Sequence, residues 1–179
     1  GSPANPDGRV AYLCQDQAPG VGLTECAITY DGGLTWLQTT PIRCPNFVNS
    51  GSLGHLQIGL DGSAYVPMNS CDGLQGVSHS YDNLNWAGVQ VPGIYTSSIF
   101  SDPALGVGRG DKVDGGRLYF AASQGDAGGA SNRHPMVSVS NDKGITWSAT
   151  PLDLSVASAR VSGDAIGVKS IVFPTIVAG

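Results

Sequence analysis

Cys14, Cys26, Cys44 and Cys71 are the residues whose chemistry can be read first. None stands in a Cys-x-x-Cys pair, so the spacing gives little support to a zinc site. An even count in a glycine-rich chain favours disulfides and an oxidising compartment, secreted, extracellular or periplasmic; four free buried thiols are the alternative. Three pairings are open. Cys14–Cys26 would bridge neighbouring strands, and Cys44–Cys71 would link one structural unit to the next. Each closed loop would contribute about 3 kcal/mol, somewhat more for the longer one. Asp111 and Asp114, flanked by glycines, offer the oxygen ligands that calcium takes, and they also read as an ordinary turn. Calcium is the one metal these residues suggest; no other cofactor is expected. The chain has no Gly-x-Ser-x-Gly, no His-Glu-x-x-His and no phosphate loop.

The elements that must position any site are short and turn-rich. The chain has 179 residues, of which 26 are Gly and 11 Pro, and only 13% are charged. Its hydrophobic content of 41% is enough for a packed core, so disorder is not expected. Many turns between short apolar runs point to an all-β fold. No run approaches the ~20 apolar residues that span a membrane. A net charge of −5 with no basic cluster argues against a nucleic-acid partner. No signal peptide is present, and the leading Gly1-Ser2 is expected to derive from cloning, so the natural start is expected elsewhere.

A repeat organises the sequence. Asp7-Gly8 precedes Arg9-Val10-Ala11-Tyr12-Leu13, Asp61-Gly62 precedes Ser63-Ala64-Tyr65-Val66, and Asp114-Gly115 precedes Gly116-Arg117-Leu118-Tyr119-Phe120. Each is a turn followed by an apolar strand, and the tyrosines stand 53 and 54 residues apart. A second element follows each strand. It reads Thr29-Tyr30-Asp31-Gly32-Gly33-Leu34-Thr35-Trp36 in the first unit and Ser140-Asn141-Asp142-Lys143-Gly144-Ile145-Thr146-Trp147 in the third. The middle copy, Ser80-Tyr81-Asp82-Asn83-Leu84-Asn85-Trp86, is one residue shorter and lacks the Gly. All three tryptophans of the chain close one of these elements.

The pattern S/T-x-D-x-G-x-T-W resembles the Asp-box, or BNR repeat, of sialidases and related β-propellers. Physically, the Asp can accept backbone N–H groups inside a tight hairpin, the Gly permits positive φ, and the Trp pins the hairpin to its own sheet. The resemblance covers nearly the whole chain. It implies blades of four antiparallel strands, three per chain, or half of a six-bladed ring, at roughly residues 7–50, 51–98 and 99–160. It also implies that the boxes lie away from the active face, so Asp31, Asp82 and Asp142 are structural.

Strand counting adds an offset. His55–Leu60 and Asp102–Val107 read as inner strands before the second and third D-G turns, whereas little precedes the turn at Asp7. Phe173–Gly179 reads as an orphan inner strand. Three blades are too few for a ring. Two copies are therefore expected to associate as a homodimer, each lending Phe173–Gly179 to the Arg9–Leu13 edge of the other, unless the chain is half of a longer one.

Strand direction in such a propeller sends His55, Asn69, Asp102, Gln124, Arg43, Arg133 and Arg160 to the active end. Sialidases clamp a substrate carboxylate with three arginines, whose planar guanidinium matches it at two points. The resemblance assigns that role to Arg43, Arg133 and Arg160, with His55, Asn69 and Gln124 beside them. Sialidases also pair a tyrosine nucleophile with a glutamate and use an acid. Tyr95, the one tyrosine outside the repeats, Glu25, the only glutamate, and Asp102 are the candidates. The Arg-Ile-Pro tripeptide of sialidases is absent. His79, between Ser78 and Ser80, is expected on a solvent face. The leading functional expectation is a sialidase-like propeller that binds an anionic glycan at its channel mouth. A non-catalytic scaffold of self-assembling half-rings is the alternative.

Overall fold

A computed structural model of the chain describes residues 10–15, 24–44, 52–96, 102–108, 116–126, 129–154, 175–176 and 178. Eleven strands occur among them: β1 (Ala11–Gln15), β2 (Glu25–Thr29), β3 (Leu37–Gln38), β4 (Gln57–Ile58), β5 (Ala64–Cys71), β6 (Leu74–Ser80), β7 (Ala87–Tyr95), β8 (Ala104–Val107), β9 (Leu118–Asp126), β10 (Gly129–Ser140) and β11 (Leu152–Asp153). They form three antiparallel sheets, ordered β1-β2-β3, β4-β5-β6-β7 and β8-β9-β10-β11. The fold is all-β, and among the described residues no helix is long and apolar enough to cross a membrane. The strands that open the second and third sheets are shorter than their sequence runs. Only Gln57–Ile58 of His55–Leu60, and Ala104–Val107 of Asp102–Val107, pair with the next strand. The D-G turns at Asp7 and Asp114, and Phe173, Gly179 and Arg9, lie outside the described residues.

Each of the three repeated turns closes the second and third strands or their continuation through one aspartate. Asp31 Oδ1 accepts the Leu34 and Thr35 N–H groups, both at 2.9 Å, and the Thr29 hydroxyl at 2.8 Å; Oδ2 accepts the Thr35 hydroxyl at 2.6 Å. Asp142 accepts Thr146 N–H at 2.8 Å, the Thr146 hydroxyl at 2.5 Å and the Ser140 hydroxyl at 2.8 Å. The short middle copy keeps the scheme. Asp82 accepts Leu84 N–H and Asn85 N–H at 2.9 and 2.7 Å, and the Asn85 amide replaces the threonine hydroxyl at 2.6 Å. Asn83 takes positive φ (68°), a region that Asn enters more readily than other side chains, so the missing glycine is compensated.

Trp86 and Trp147 act between sheets as well as within them, which goes beyond the expectation that each pins its own. The Trp86 indole donates to Thr39 Oγ1 of the preceding sheet at 3.1 Å, and its backbone N–H donates to Thr40 Oγ1 at 2.8 Å. Trp147 packs with Tyr65, Val77 and Val91 of the second sheet and meets Phe120 edge-on. Tyrosines span the same joints. Tyr12 donates to Asn83 Oδ1, and Tyr81 donates to the Lys143 carbonyl at 3.0 Å. The Lys143 ammonium also pairs with Asp61 at 3.0 Å. Two disulfides complete the frame: Cys14–Cys26 within the first sheet and Cys44–Cys71 from the first sheet to the second.

The middle sheet is therefore covered on both faces. This overturns the expected exposure of His79, which is buried between two buried serines on β6 and stacks near Tyr81 at a 4.5 Å centroid distance. Alternation signals a wet face only when one face of a sheet is left open. Burial pushes the His79 imidazole pKa down.

The hydrogen bonds of the turns make the fold acid-sensitive. The Asn85 side chain and backbone, with Leu84 N–H, hold Asp82 at a pKa of about 2. The Thr35 hydroxyl and N–H, with Thr29, hold Asp31 well below the usual carboxylate range. A carboxylate with a depressed folded pKa contributes stability that is fully present above its unfolded pKa, near 4, and lost as pH falls through the folded value. Thermal melting should therefore shift downward as pH falls from about 4 toward about 2. Asp82→Asn should start lower at neutral pH and respond less to acid over that window. An unchanged pH profile in this variant would refute the assignment.

Candidate functional site

The ends of the second and third sheets that lie opposite the aspartate turns meet at one junction. Gln75 begins it. This side chain is buried, and its amide nitrogen donates to the Tyr95 carbonyl at 3.2 Å and the Ser123 carbonyl at 3.0 Å. Tyr95 N–H in turn donates to Gln124 Oε1 at 3.2 Å. One side chain from each sheet thus fixes the backbone of the other. The Tyr95 ring stands exposed on this support. Thr96 extends the rim, with its hydroxyl donating to the Leu74 carbonyl at 3.0 Å and lying 3.5 Å from Ser70 Oγ.

A second contact lies along the opening strands of the same two sheets. Gly54 N–H donates to the Pro67 carbonyl at 2.9 Å. A Cβ on Gly54 would fall 1.9 Å from the Pro103 carbonyl oxygen, so the two backbones touch where only glycine fits. This contact sets Gly54-His55 against Asp102-Pro103. His55 is exposed and Asp102 half-buried. Asn69 is buried near the same end of β5, its N–H donating to the Ser52 carbonyl at 2.9 Å.

The other candidates are placed as follows. Arg133 stands opposite Gly125 in the β9–β10 register, one residue from Gln124. Arg43 is exposed, and its carbonyl would lie 2.3 Å from a Cβ on Gly88, near the start of β7. Gly88 stands opposite Ser78 and Tyr95 opposite Leu74, with a bulge between them, so the Arg43 backbone is roughly 13 Å from Tyr95 along the sheet by strand rise. Arg160 lies outside the described residues, as do Asp111 and Asp114. Glu25 stands in the first sheet and accepts the Gln38 amide at 2.7 Å. Among the described residues no hydrogen bond joins Glu25 to Tyr95, and no group of three His, Cys, Asp or Glu converges as a metal site would require. The structure thus brings together Tyr95 with Gln124, and His55 with Asp102, while Glu25 and Arg43 sit elsewhere.

Sequence reasoning missed Gln75 and Gly54 as positioning residues. Gln75 carries no signal, because a polar residue at the start of an alternating strand reads as surface. Gly54 could have been found only by knowing that Pro103 crosses it.

A cleft of about 340 Å³ opens between β1 and the segment leading into β4, lined by Tyr12, Leu13, Cys14, His55 and Val66 among others. Polar and apolar surface contribute equally to its walls.

No protein-family model and no curated protein matches the chain. Among solved structures the chain is similar to the NanB sialidase from Streptococcus pneumoniae, determined in complex with 2-[(3-chlorobenzyl)ammonio]ethanesulfonate. The identity is 14% and the TM-score 0.57. The likeness covers 80% of this chain and 21% of that one, so the chain spans about a fifth of that protein's length. At this identity the likeness is one of fold alone: three antiparallel sheets arranged as in part of a sialidase.

Proposed function

We propose that the chain is a segment of a secreted, sialidase-like β-propeller that binds an anionic glycan at the end opposite its aspartate turns. In this reading the three sheets are blades, the first short of its inner strand, and the turns at Asp31, Asp82 and Asp142 are Asp-boxes. The shared hydrogen-bond scheme of the turns and the fold likeness support the architecture. Two disulfides are compatible with an extracellular protein.

The observation that carries the binding role is the Tyr95–Gln124 junction. It holds an exposed aromatic face and an amide in fixed relation, with Arg133 entering the neighbouring strand position. A rigid aromatic surface suits a sugar ring, and a guanidinium suits its carboxylate. Hydrolysis is not expected of the chain alone, because Glu25, the one glutamate, is engaged in a different sheet from Tyr95.

Titration with sialic acid, followed by saturation-transfer NMR, tests this reading. Binding is expected for sialic acid and not for a neutral hexose. Arg133→Ala should weaken it by roughly tenfold or more, the worth of one charge-assisted contact. Equal binding of both sugars, or no binding of either, would sink the proposal. Rapid release of a fluorogenic sialoside that Tyr95→Phe abolishes would replace binding with catalysis.

A further inference from the structure

The three sheets are repeats, so each shows what the others ought to bury. Trp86 and Trp147 are 7% and 8% exposed, but Trp36 is 44% exposed. Leu13 of β1 is 63% exposed, whereas Val66 and Phe120, at the same place in β5 and β9, are buried. The cause lies in the joints. Trp86 is covered by the first sheet through Thr39, and Trp147 by the second through Tyr65. Among the described residues no sheet covers Trp36, whose indole turns back to the Gly33 carbonyl of its own turn at 3.2 Å.

The covering group is itself part of the repeat. Tyr12 of β1 bonds to Asn83 in the second turn. Tyr65 of β5 lies beside Gly144 in the third turn, 3.9 Å from the place of its Cβ. Tyr119 of β9 is next in the series, and among the described residues no further turn receives it. The first turn, with Gly33 and Trp36, is a seat with no tyrosine.

The strand edges show the same pair of complementary gaps. β4 and β8 occupy one edge of β5 and β9, while among the described residues no strand pairs with that edge of β1, which borders the cleft. At the other end of the chain, Ile176 and Ala178 lie against Gly106 of β8, with Ala178 N 3.4 Å from the place of its Cβ. β8 itself packs beside β4 in this way.

We infer that two copies of this chain join head to tail, the third sheet of each docking on the first sheet of the other. Tyr119 of one copy seats over Gly33 and Trp36 of the second, as Tyr65 seats over Gly144. Ile176 and Ala178 of the first copy enter the cleft beside β1 of the second. A two-fold axis satisfies both contacts at once, closing the assembly and leaving no sheet face open. The inference rests on the repeat and not on ligand binding.

Sedimentation velocity on the full chain tests it. At about 100 µM the chain should sediment as twice its 18.3 kDa mass. Trp36→Glu and Tyr119→Ala should each weaken the dimer by roughly tenfold or more, as central aromatic contacts do. Ile145→Glu, on the exposed third turn, should leave it intact. Mixing the Trp36→Glu and Tyr119→Ala chains should recover dimer, because the mixed pair keeps one unaltered contact. Should Trp36→Glu lose its folded circular dichroism, Leu13→Glu serves at the exposed cleft. A monomer at that concentration, a dimer indifferent to both face variants, no gain on mixing, or an open series of larger species would each overturn the inference.

Discussion

Gly54→Ala is expected to destabilise the chain by about 3 kcal/mol, at the upper end of the usual cost of overpacking. The obstacle is backbone. The new methyl would stand 1.9 Å from the Pro103 carbonyl oxygen and 2.8 Å from Pro67 Cγ. Neither proline can swing aside as a flexible side chain would. Relief requires the start of β8 to move away from the second sheet, carrying Asp102 from His55. The melting temperature should fall by roughly 10 °C, as expected for a domain of this size. Gly73→Ala provides the contrast. Gly73 has φ of +90° with nothing within 4 Å of the Cβ position, so strain alone acts there and the loss should be nearer 1 kcal/mol. Equal effects at the two positions would show that the Gly54–Pro103 contact is not as close as described.

The paired variant Cys44→Ser/Cys71→Ser should cost a comparable amount, about 3.5 kcal/mol from loop closure alone. This bridge closes 27 residues and joins two sheets, whereas Cys14–Cys26 closes 12 within one. The consequence should therefore be local as well as global. Without the bridge, the first sheet is held to the second by Tyr12–Asn83, the Thr39 and Thr40 bonds and apolar packing. Amide hydrogen exchange should then show β1 to β3 opening ahead of β5, β6 and β9. Uniform protection across the three sheets would contradict this.

Much of this arrangement was readable in advance because it repeats. Tyr12, Tyr65 and Tyr119 recur at nearly constant spacing, each followed by one of Trp36, Trp86 and Trp147, and such a recurrence reports one supersecondary unit used three times. Asn83 shows the limit of such reading. In the sequence it marks a defect, because a glycine is missing; in the turn it supplies the same backbone conformation and a bond to the preceding sheet. His79 shows another limit, since alternation cannot tell whether a second sheet covers the outer face. The candidate site was less legible for a physical reason. Its residues lie at strand ends and on joints, where spacing is not periodic. Nothing in the residues around Gln75 foretells that its amide reaches Ser123, 48 positions away. Nor does the chain order of Arg43 reveal that its backbone rests against Gly88.

The aspartate turns divide the molecule in a further sense. Asp31 engages four donors across its two oxygens within a handful of residues. Inserting a residue there would break several of those bonds together, and the middle turn has already absorbed a deletion only by recruiting Asn83 and Asn85. Among the described residues, the other end carries no such closed set. Lineages of this fold should therefore vary in length and composition at that end while the turns stay almost constant. New recognition can evolve there without renegotiating the frame.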